Sequence, residues 1–177
     1  MRIIAGHLGG RQFHEPHGHH THPMSEKVRG ALFNALGDIE GLTVLDAFAG
    51  SGGLSLEAIS RGAKNSVAID KDRPAHVVLV RNVQELGMNK QIKAIRANVS
   101  GWSDNNPRQK FDIALLDPPY DDLQFNLLEK LVSRHMVASG IAVLSWPGHI
   151  DIPSFDGLEM VSNKNYGDAQ LVFYRKL

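Results

Sequence analysis

Residues 117–120, with the sequence DPPY, follow an apolar run and combine groups that could hold a reactive amine. Proline has no backbone N–H and its ring fixes φ near about −65°, so Pro118 and Pro119 make the turn rigid. The expected array is the Asp117 carboxylate and nearby carbonyl groups beside the ring of Tyr120. Coplanar acceptors with an aromatic ring above them suit a planar base that carries an exocyclic NH₂ group. The stretch therefore predicts a site that binds and orients such an amine.

A glycine-rich turn and an acidic residue indicate a second binding element. The sequence AGSGG, residues 49–53, joins an apolar run to a predicted helix, where glycines let backbone amides approach a ligand closely. Asp70 lies twenty positions after Gly50, at the end of the next predicted strand, where a carboxylate can accept ribose hydroxyls. The dinucleotide fingerprint G-x-G-x-x-G would need glycine where the chain has Ser55. A ribose-bearing ligand is therefore predicted, and a nicotinamide-dependent oxidoreductase is the less favoured alternative.

The amine site and the ribose site together indicate methyl transfer. The lone pair of an amine on a base is drawn into the ring, and acceptors that hold its hydrogens turn that lone pair toward an electrophile. The natural electrophile beside a ribose site is the methyl group of a sulfonium. We therefore predict S-adenosyl-L-methionine as the cofactor.

These residues must be positioned by the surrounding elements, and the hydrophobic pattern predicts alternating strands and helices. Strands are predicted at 43–48, 65–70, 92–98, 111–117 and 140–146, with two more between 158 and 177. Helices are predicted from Ser25 to Gly37, and near 53–61, 72–87 and 122–135. Apolar strands that alternate with helices favour a mostly parallel sheet covered on both faces, here closed at one edge by an antiparallel pair. Ligands of such sheets bind beyond the carboxyl ends of the strands, where Phe48, Asp70 and Asp117 lie.

Composition excludes several classes of site and of location. The chain has 177 residues, zero formal net charge and no cysteine, which excludes disulfides, thiolate zinc sites and a cysteine nucleophile. No run approaches the ~20 apolar residues of a membrane span, and the start lacks the core of a signal peptide, so we expect a cytoplasmic protein. A polar loop is predicted over 14–23 rather than a metal site, although it contains His14, His17, His19, His20 and His22.

Three long stretches carry a resemblance to a known family. VLDAFAGSGGLSLEAISRGA, VAIDKD and FDIALLDPPY are similar to the class I S-adenosylmethionine-dependent methyltransferases that modify exocyclic amines. Within these enzymes, the opening RIIAG…GGR, the segment PMSEKVR before ALFN and the late YGDAQL resemble the bacterial 16S rRNA guanine-N2 methyltransferase family. The resemblance implies a Rossmann-like α/β fold with a mostly parallel seven-stranded sheet, helices on both faces and a small N-terminal β-hairpin extension at 2–13.

The resemblance also implies a role for individual residues. Those that would bind the cofactor are Asp46, Phe48, Gly50 and Gly52 at its methionine end, Asp70 at the ribose, and Lys71 and Asn98 at the adenine. Those that would hold the target amine are Asp117, Pro118 and Tyr120. Those that would contact RNA are Arg2, Arg11, Lys27 and Arg29.

The implied function is methyl transfer to guanine N2 of 16S rRNA within a small-subunit particle, by a monomer. Residues 1–37 would form the RNA-contacting part and residues 38–177 the S-adenosylmethionine-dependent methyltransferase domain. An adenine-N6 methyltransferase of DNA or RNA is the alternative, because DPPY also occurs in such enzymes. A catalytically silent RNA-binding assembly factor is a further alternative.

Overall fold

The structure is a computed structural model, and it describes residues 1–17 and 23–177. The elements follow one another along these residues as α1 (Glu26–Leu36), β1 (Thr43–Asp46), α2 (Gly53–Ser60), β2 (Asn65–Asp70), α3 (Arg73–Glu85), β3 (Ile92–Arg96), α4 (Val99–Asn105), β4 (Phe111–Leu116), α5 (Phe125–His135), β5 (Met136–Pro147), β6 (Leu158–Asn165) and β7 (Ala169–Lys176). Strands and helices alternate up to β5, as the apolar pattern predicts.

The seven strands form one sheet in the order β3-β2-β1-β4-β5-β7-β6. Strands β1 to β5 pair in parallel, and β7 lies antiparallel between β5 and β6. The mostly parallel seven-stranded sheet with an antiparallel closing pair is therefore confirmed. Because β1, β2 and β4 are neighbours in parallel, the residues at their carboxyl ends meet at one edge of the sheet.

Polar side chains at the helix starts explain where two of the helices begin. The Ser25 side chain accepts a hydrogen bond from the backbone N–H of Val28 at the start of α1. The Asp72 carboxylate does the same for Ala75 at the start of α3, with Pro74 in the first turn. Such caps satisfy N–H groups that have no partner within the helix. Both helix starts agree with the sequence prediction.

Two elements differ from their prediction. Helix α4 was not expected, since its seven residues include serine, glycine and aspartate, which are poor helix formers. Its first turn is stabilised by Asn98, whose side chain accepts from the backbone N–H of Ser100. Strand β5 begins directly after α5, earlier than predicted, and contains Ser139 at φ 65°.

The N-terminal segment pairs with itself over a short stretch where the hairpin is predicted. An antiparallel bridge joins Arg2 to Gln12, and backbone hydrogen bonds connect the two arms on either side of it. Other amides of this segment bind α2: His7 donates to the carbonyl of Ser60, and Leu8 donates to the Ser60 hydroxyl. The double glycine at 9–10 lies in the turn between the arms, so the segment is held both by its own pairing and by the helix.

Apolar residues pack on both faces of the sheet. One cluster joins Ile3 and Phe13 of the N-terminal segment to α1, α2 and α3, and the other lies under α4 and α5. Trp102 and Trp146 are buried in the second cluster.

No helix of the described residues is long and apolar enough to cross a membrane. In the same part of the chain, no group of three or more His, Asp or Glu side chains is arranged to hold a metal ion. His19, His20 and His22 of the predicted polar loop lie outside the described residues, whereas His14 contacts Glu85 at the end of α3.

Candidate active site

Three carboxylates, those of Asp46, Asp70 and Asp117, follow or end the adjacent strands β1, β2 and β4, and we call the space they border the acidic crevice. Asp46 is 1% exposed. Its Oδ2 accepts a hydrogen bond of 2.7 Å from the Ser55 hydroxyl, whereas its Oδ1 has no partner among the described residues. Burial raises the pKa of Asp46 to about 7, and the charges of Asp117 and Asp70 add to the rise. A buried acceptor of this kind can accept a hydrogen bond from a ligand or pair with a cationic group.

Ser55 has a function that the sequence argument missed. In the sequence this serine was informative only as the residue that breaks a dinucleotide fingerprint. In the structure it is fully buried on α2, hydrogen-bonded to Asp46 and 2.8 Å from the Ser66 hydroxyl on β2. The sequence signal that could have revealed this role is a serine in the first turn of the helix that follows β1, since that turn lies beside the end of the strand. Ser55 fixes the orientation of the Asp46 carboxylate.

The glycine turn and Asp70 are joined by hydrogen bonds. Asp70 Oδ2 accepts from the backbone N–H of Gly50 at 2.8 Å, and Oδ1 accepts from that of Asp72 at 2.8 Å. Each carboxylate oxygen can accept a second bond, so Asp70 retains capacity for two hydroxyl donors. Asp70 therefore has the free acceptor capacity that its predicted role at the ribose requires. The same carboxylate also holds the glycine turn in place through Gly50.

Gly50 and Gly52 serve different needs. Gly50 has φ 55°, and a Cβ built on it would meet no atom of the described residues within 4 Å. Gly52 has φ 92°, and a Cβ there would lie 2.4 Å from Leu79 Cδ1. Gly52 is therefore required by backbone conformation and packing, whereas Gly50 leaves room beside the acidic crevice.

The acidic crevice fits S-adenosylmethionine in charge and in hydrogen bonding. The ligand carries a sulfonium and an ammonium group, which match the carboxylates and the unpartnered Asp46 oxygen. Phe48, at the same strand end, is partly buried against the second apolar cluster. Lys71 and Asn98 are exposed, and the Asn98 oxygen that accepts from Ser100 keeps a second lone pair. The predicted cofactor residues thus line one edge of the sheet, with nothing filling the space beside Gly50.

The DPPY turn continues from β4 at the same edge. Burial raises the pKa of Asp117 to about 6, and the Ser145 hydroxyl opposes part of this rise. The carbonyl of Pro119 accepts from the backbone N–H of Asp122, so this carbonyl is already used within the turn. The Asp117 carboxylate and the Pro118 carbonyl remain as acceptors for an amine.

Tyr120 is fixed by its hydroxyl and is still accessible. Its oxygen lies 2.8 Å from the Ser145 hydroxyl and donates to the carbonyl of Trp146 at 3.2 Å. The residue is 41% exposed. A ring held at its hydroxyl end and open to solvent suits stacking on a planar base. Ser145, a buried polar residue in the apolar β5, was not singled out in the sequence.

Arg29 corrects one of the RNA predictions. It is 1% exposed, its Nε donates to Glu57 Oε1 at 3.2 Å, and its guanidinium also donates to the carbonyl of Arg2. The guanidinium further lies over the Phe13 ring, 5.3 Å from the centroid. Arg29 therefore cannot contact RNA in this structure, because its charge is neutralised inside the protein and supports the N-terminal segment.

The other three basic residues are exposed. Arg2 and Lys27 line one shallow groove of about 400 Å³ between the N-terminal segment and α1. Arg2 also pairs with Glu26, whose carboxylate is 3.3 Å from the Arg2 Nε. Arg11 lies on the same segment, next to the bridge residue Gln12.

A larger cleft lies at the opposite edge of the sheet. It has a volume of about 650 Å³ and is lined by residues at the starts of β1 to β4, including Lys90, Lys93 and Lys110. None of the predicted site residues borders it. Because ligands of parallel sheets bind at the carboxyl ends of the strands, the acidic crevice is the candidate active site.

Comparisons with known proteins agree with this assignment. The chain matches the family model described as Conserved hypothetical protein 95 over residues 1–175. It is 30% identical over 182 residues to the Bacillus subtilis protein named "Putative rRNA methyltransferase YlbH", covering 99% of both chains. It is 32% identical over 134 residues to Ribosomal RNA small subunit methyltransferase D of Escherichia coli K12, covering 75% of this chain and 65% of that protein.

A solved structure named "Putative methyltransferase yhhF from Escherichia coli" matches with a TM-score of 0.89 and 26% identity, covering 99% of this chain and 97% of that one. The predicted Rossmann-like methyltransferase fold is confirmed by this likeness. The chain therefore belongs to the Conserved hypothetical protein 95 family, and its predicted membership among the relatives of the small-subunit rRNA methyltransferases is confirmed.

Proposed function

We propose that the chain transfers a methyl group from S-adenosyl-L-methionine to the exocyclic N2 amine of a guanine in 16S rRNA. In this proposal Asp117, Pro118 and Tyr120 hold the amine, and the acidic crevice binds the cofactor. The names of the relatives support ribosomal RNA as the substrate class. The choice of guanine N2 rests on the resemblance of the sequence motifs.

The observation that carries the proposal is the position of Asp46 beside the DPPY turn. Asp46 ends β1 with one oxygen unpartnered, and Asp117 follows the adjacent strand β4 closely enough to raise the pKa of Asp46. A cation-accepting carboxylate and an amine-accepting carboxylate therefore border the same space. When bound there, S-adenosylmethionine supplies an electrophilic methyl group.

Asp117 has a second task in the proposed reaction. An amine that gains a methyl group must lose one of its protons, and the carboxylate that holds its hydrogen can accept that proton. Because burial raises the pKa of Asp117 to about 6, the group is ionised near neutral pH and is nevertheless basic enough to take up a proton transiently. The Pro118 carbonyl holds the second hydrogen, and the Tyr120 ring aligns the base.

The RNA-contacting surface is proposed at Arg2, Arg11 and Lys27. These residues are exposed on the N-terminal segment and α1, and RNA phosphates attract such side chains. We retain the division into an RNA-contacting part at 1–37 and a methyltransferase domain at 38–177, with the addition that Ile3 and Phe13 belong to the same apolar cluster as the sheet. A monomer acting on a small-subunit particle in the cytoplasm is the proposed assembly.

Labelled methyl transfer tests the function directly. Small-subunit particles, naked 16S rRNA and duplex DNA are each offered to the protein with S-adenosylmethionine labelled in its methyl group, and the product nucleosides are separated. We expect label in N2-methylguanosine from the particles. Label in N6-methyladenine, or DNA as the only acceptor, would support the adenine-N6 alternative. A shift in melting temperature with NAD and none with S-adenosylmethionine would support the oxidoreductase.

A matched pair of variants assigns the amine site. Asp117→Asn removes the charge and the proton acceptor, and should lower transfer by at least about a hundredfold, the range of a general base. Asp121→Asn makes the same change in the exposed part of the turn and should leave the rate unchanged. Equal rates for the two variants would remove Asp117 from the proposed mechanism.

A further inference from the structure

Ser145 occupies a position that connects two parts of the amine site. It is 5% exposed and lies near the carboxyl end of β5. Strands β4 and β5 pair in parallel with Leu116 opposite Leu144, so the next residues along the two strands are Asp117 and Ser145. The Ser145 hydroxyl also lies 2.8 Å from the Tyr120 hydroxyl. The Ser145 side chain therefore binds Tyr120 and lies beside Asp117, and it opposes part of the rise in the pKa of Asp117.

The number of protons shared by Asp117, Ser145 and Tyr120 limits the directions that their hydrogen bonds can take. Tyr120 and Ser145 have one hydroxyl proton each, and an ionised Asp117 can only accept. With Asp117 ionised, Ser145 donates to Asp117, and the Ser145 oxygen is available as a second acceptor for the Tyr120 proton beside the Trp146 carbonyl. With Asp117 protonated, the order reverses: Asp117 donates to Ser145, Ser145 donates to Tyr120, and Tyr120 donates to the Trp146 carbonyl at 3.2 Å.

The Trp146 carbonyl, the second acceptor for the Tyr120 proton, belongs to a part of the sheet that is held by further hydrogen bonds. The indole N–H of Trp146 donates to the carbonyl of Asp151 at 3.1 Å, and Gln170 on β7 donates to the carbonyl of Pro147 at 2.9 Å. Both acceptors of the Tyr120 proton are thus fixed, and only the direction of the hydrogen bonds can change.

We propose that Ser145 is a positioning residue that links the ionisation of Asp117 to the hydrogen bonds that hold the Tyr120 ring. The inference rests on the proposed function, since it concerns the same amine site. The ionised state of Asp117 makes the Ser145 oxygen available to the Tyr120 proton, and uptake of the amine proton leaves the Trp146 carbonyl as its acceptor. The site is then ordered for the base before transfer and changes its hydrogen bonding after it.

Two other ionisable groups lie near Asp117. Asp46 ends the neighbouring strand β1, with Asp70 one strand further away on β2, and Tyr120 lies in the same turn as Asp117. Removing the Ser145 hydroxyl leaves these groups in place and removes one interaction that favours the ionised Asp117. The pKa of Asp117 should therefore rise in Ser145→Ala.

A double-mutant cycle with pH profiles tests the inference. The variants are Ser145→Ala, Tyr120→Phe, which keeps the ring, and the combination of both. In Ser145→Ala we expect kcat to fall about fivefold, the value of one hydrogen bond, and the acid limb of the kcat/KM profile to move to higher pH. The double variant should be no slower than the slower single variant, because the two hydroxyls act through one contact.

Two further measurements separate this inference from the proposed function. Ser145→Thr restores a hydroxyl and should recover most of kcat and of the acid limb. Carbon-13 NMR of the aspartate carboxyl groups, in protein without cofactor, should show the Asp117 titration at higher pH in Ser145→Ala than in wild type. Additive effects in the cycle together with an unchanged Asp117 titration would overturn the inference. A wild type that methylates no acceptor would instead overturn the proposed function, while the NMR titration would still decide the role of Ser145.

Discussion

Two buried carboxylates eleven positions apart in the chain, Asp46 and Glu57, have opposite sets of partners. Glu57 on α2 is fully buried and accepts from Arg29 at 3.2 Å, from Arg61 at 2.8 Å and from two backbone amides of the N-terminal segment. Asp46 on β1 accepts from Ser55 and has one oxygen without a partner. Both are acids removed from water, but only Glu57 is neutralised by cations of the protein itself.

The difference separates a structural acid from a ligand-binding acid. Burial of a carboxylate is costly unless donors and opposite charge surround it. Glu57 has both, so its position is explained by the fold. Asp46 has one donor and no neighbouring cation among the described residues, and burial raises its pKa to about 7, so its position supports the proposed binding of a cationic ligand. The predictions below test this distinction.

The largest expected effect is that of Glu57→Gln on stability. The substitution leaves Arg29 buried without its counter-charge, which typically costs about 3–5 kcal/mol in the free energy of unfolding. Urea denaturation at neutral pH measures it. Glu85→Gln, which removes a carboxylate from two exposed pairs, is the control and should hardly move the urea midpoint. A small effect of Glu57→Gln on the free energy of unfolding would mean that Glu57 does not have the structural role described above.

Asp46 should make stability depend on pH in a defined direction. The folded pKa is raised from 3.8 to about 7, so the unfolded state loses its proton first as pH rises. The free energy of unfolding should therefore decrease between about pH 4 and pH 7, by at most about 4 kcal/mol from this group, and level off above pH 7.

Asp46→Asn should remove most of that decrease. Urea denaturation at several pH values from 4 to 8 compares the variant with wild type. Asp117, whose pKa is also raised, leaves a smaller decrease of the same sign in the variant. Parallel curves for the two proteins would show that Asp46 is not the buried acid described above.

Cofactor binding should respond to the protonation of Asp46 and Asp117. The protonated fractions of Asp46 and Asp117 must release protons before they can face a cation, so affinity for S-adenosylmethionine should increase from pH 6 to pH 8. Calorimetry in buffers of different ionisation enthalpy measures both the affinity and the released protons. Asp46→Asn should weaken binding about tenfold, the value of a charge-assisted hydrogen bond, and release fewer protons. An affinity that is flat with pH in wild type would contradict the role of the crevice.

The smallest expected effect is that of Ser55→Ala. It removes the hydroxyl that orients Asp46 and should cost about 1 kcal/mol in stability, with a modest loss of cofactor affinity. Ser133→Ala, at an exposed serine of α5, is the control. A loss as large as that of Asp46→Asn would mean that Ser55 itself contacts the ligand.

The sequence was informative where function depends on local pattern. Asp70 and Asp117 could be placed because a strand end fixes both the residue and the edge of the sheet to which it belongs. Arg29 could not be placed, because its partner Glu57 is 28 positions away and nothing in the residue itself shows that it is buried. The extent of strand pairing at 2–13 could not be predicted for the same reason, since contacts with α2 also hold the N-terminal segment. Ser145 was missed because its role depends on the register of β5 beside β4.

The hydrogen bonds between α2 and the N-terminal segment have a consequence for synthesis of the chain. The amides of Ile4 and Ala5 donate to Glu57, which lies 53 and 52 positions later in the chain. The amide of His7 donates to the carbonyl of Ser60, 53 positions later. On a translating ribosome the segment therefore emerges well before its binding partner. Its final arrangement, including the positions of its basic residues, forms only when α2 has followed.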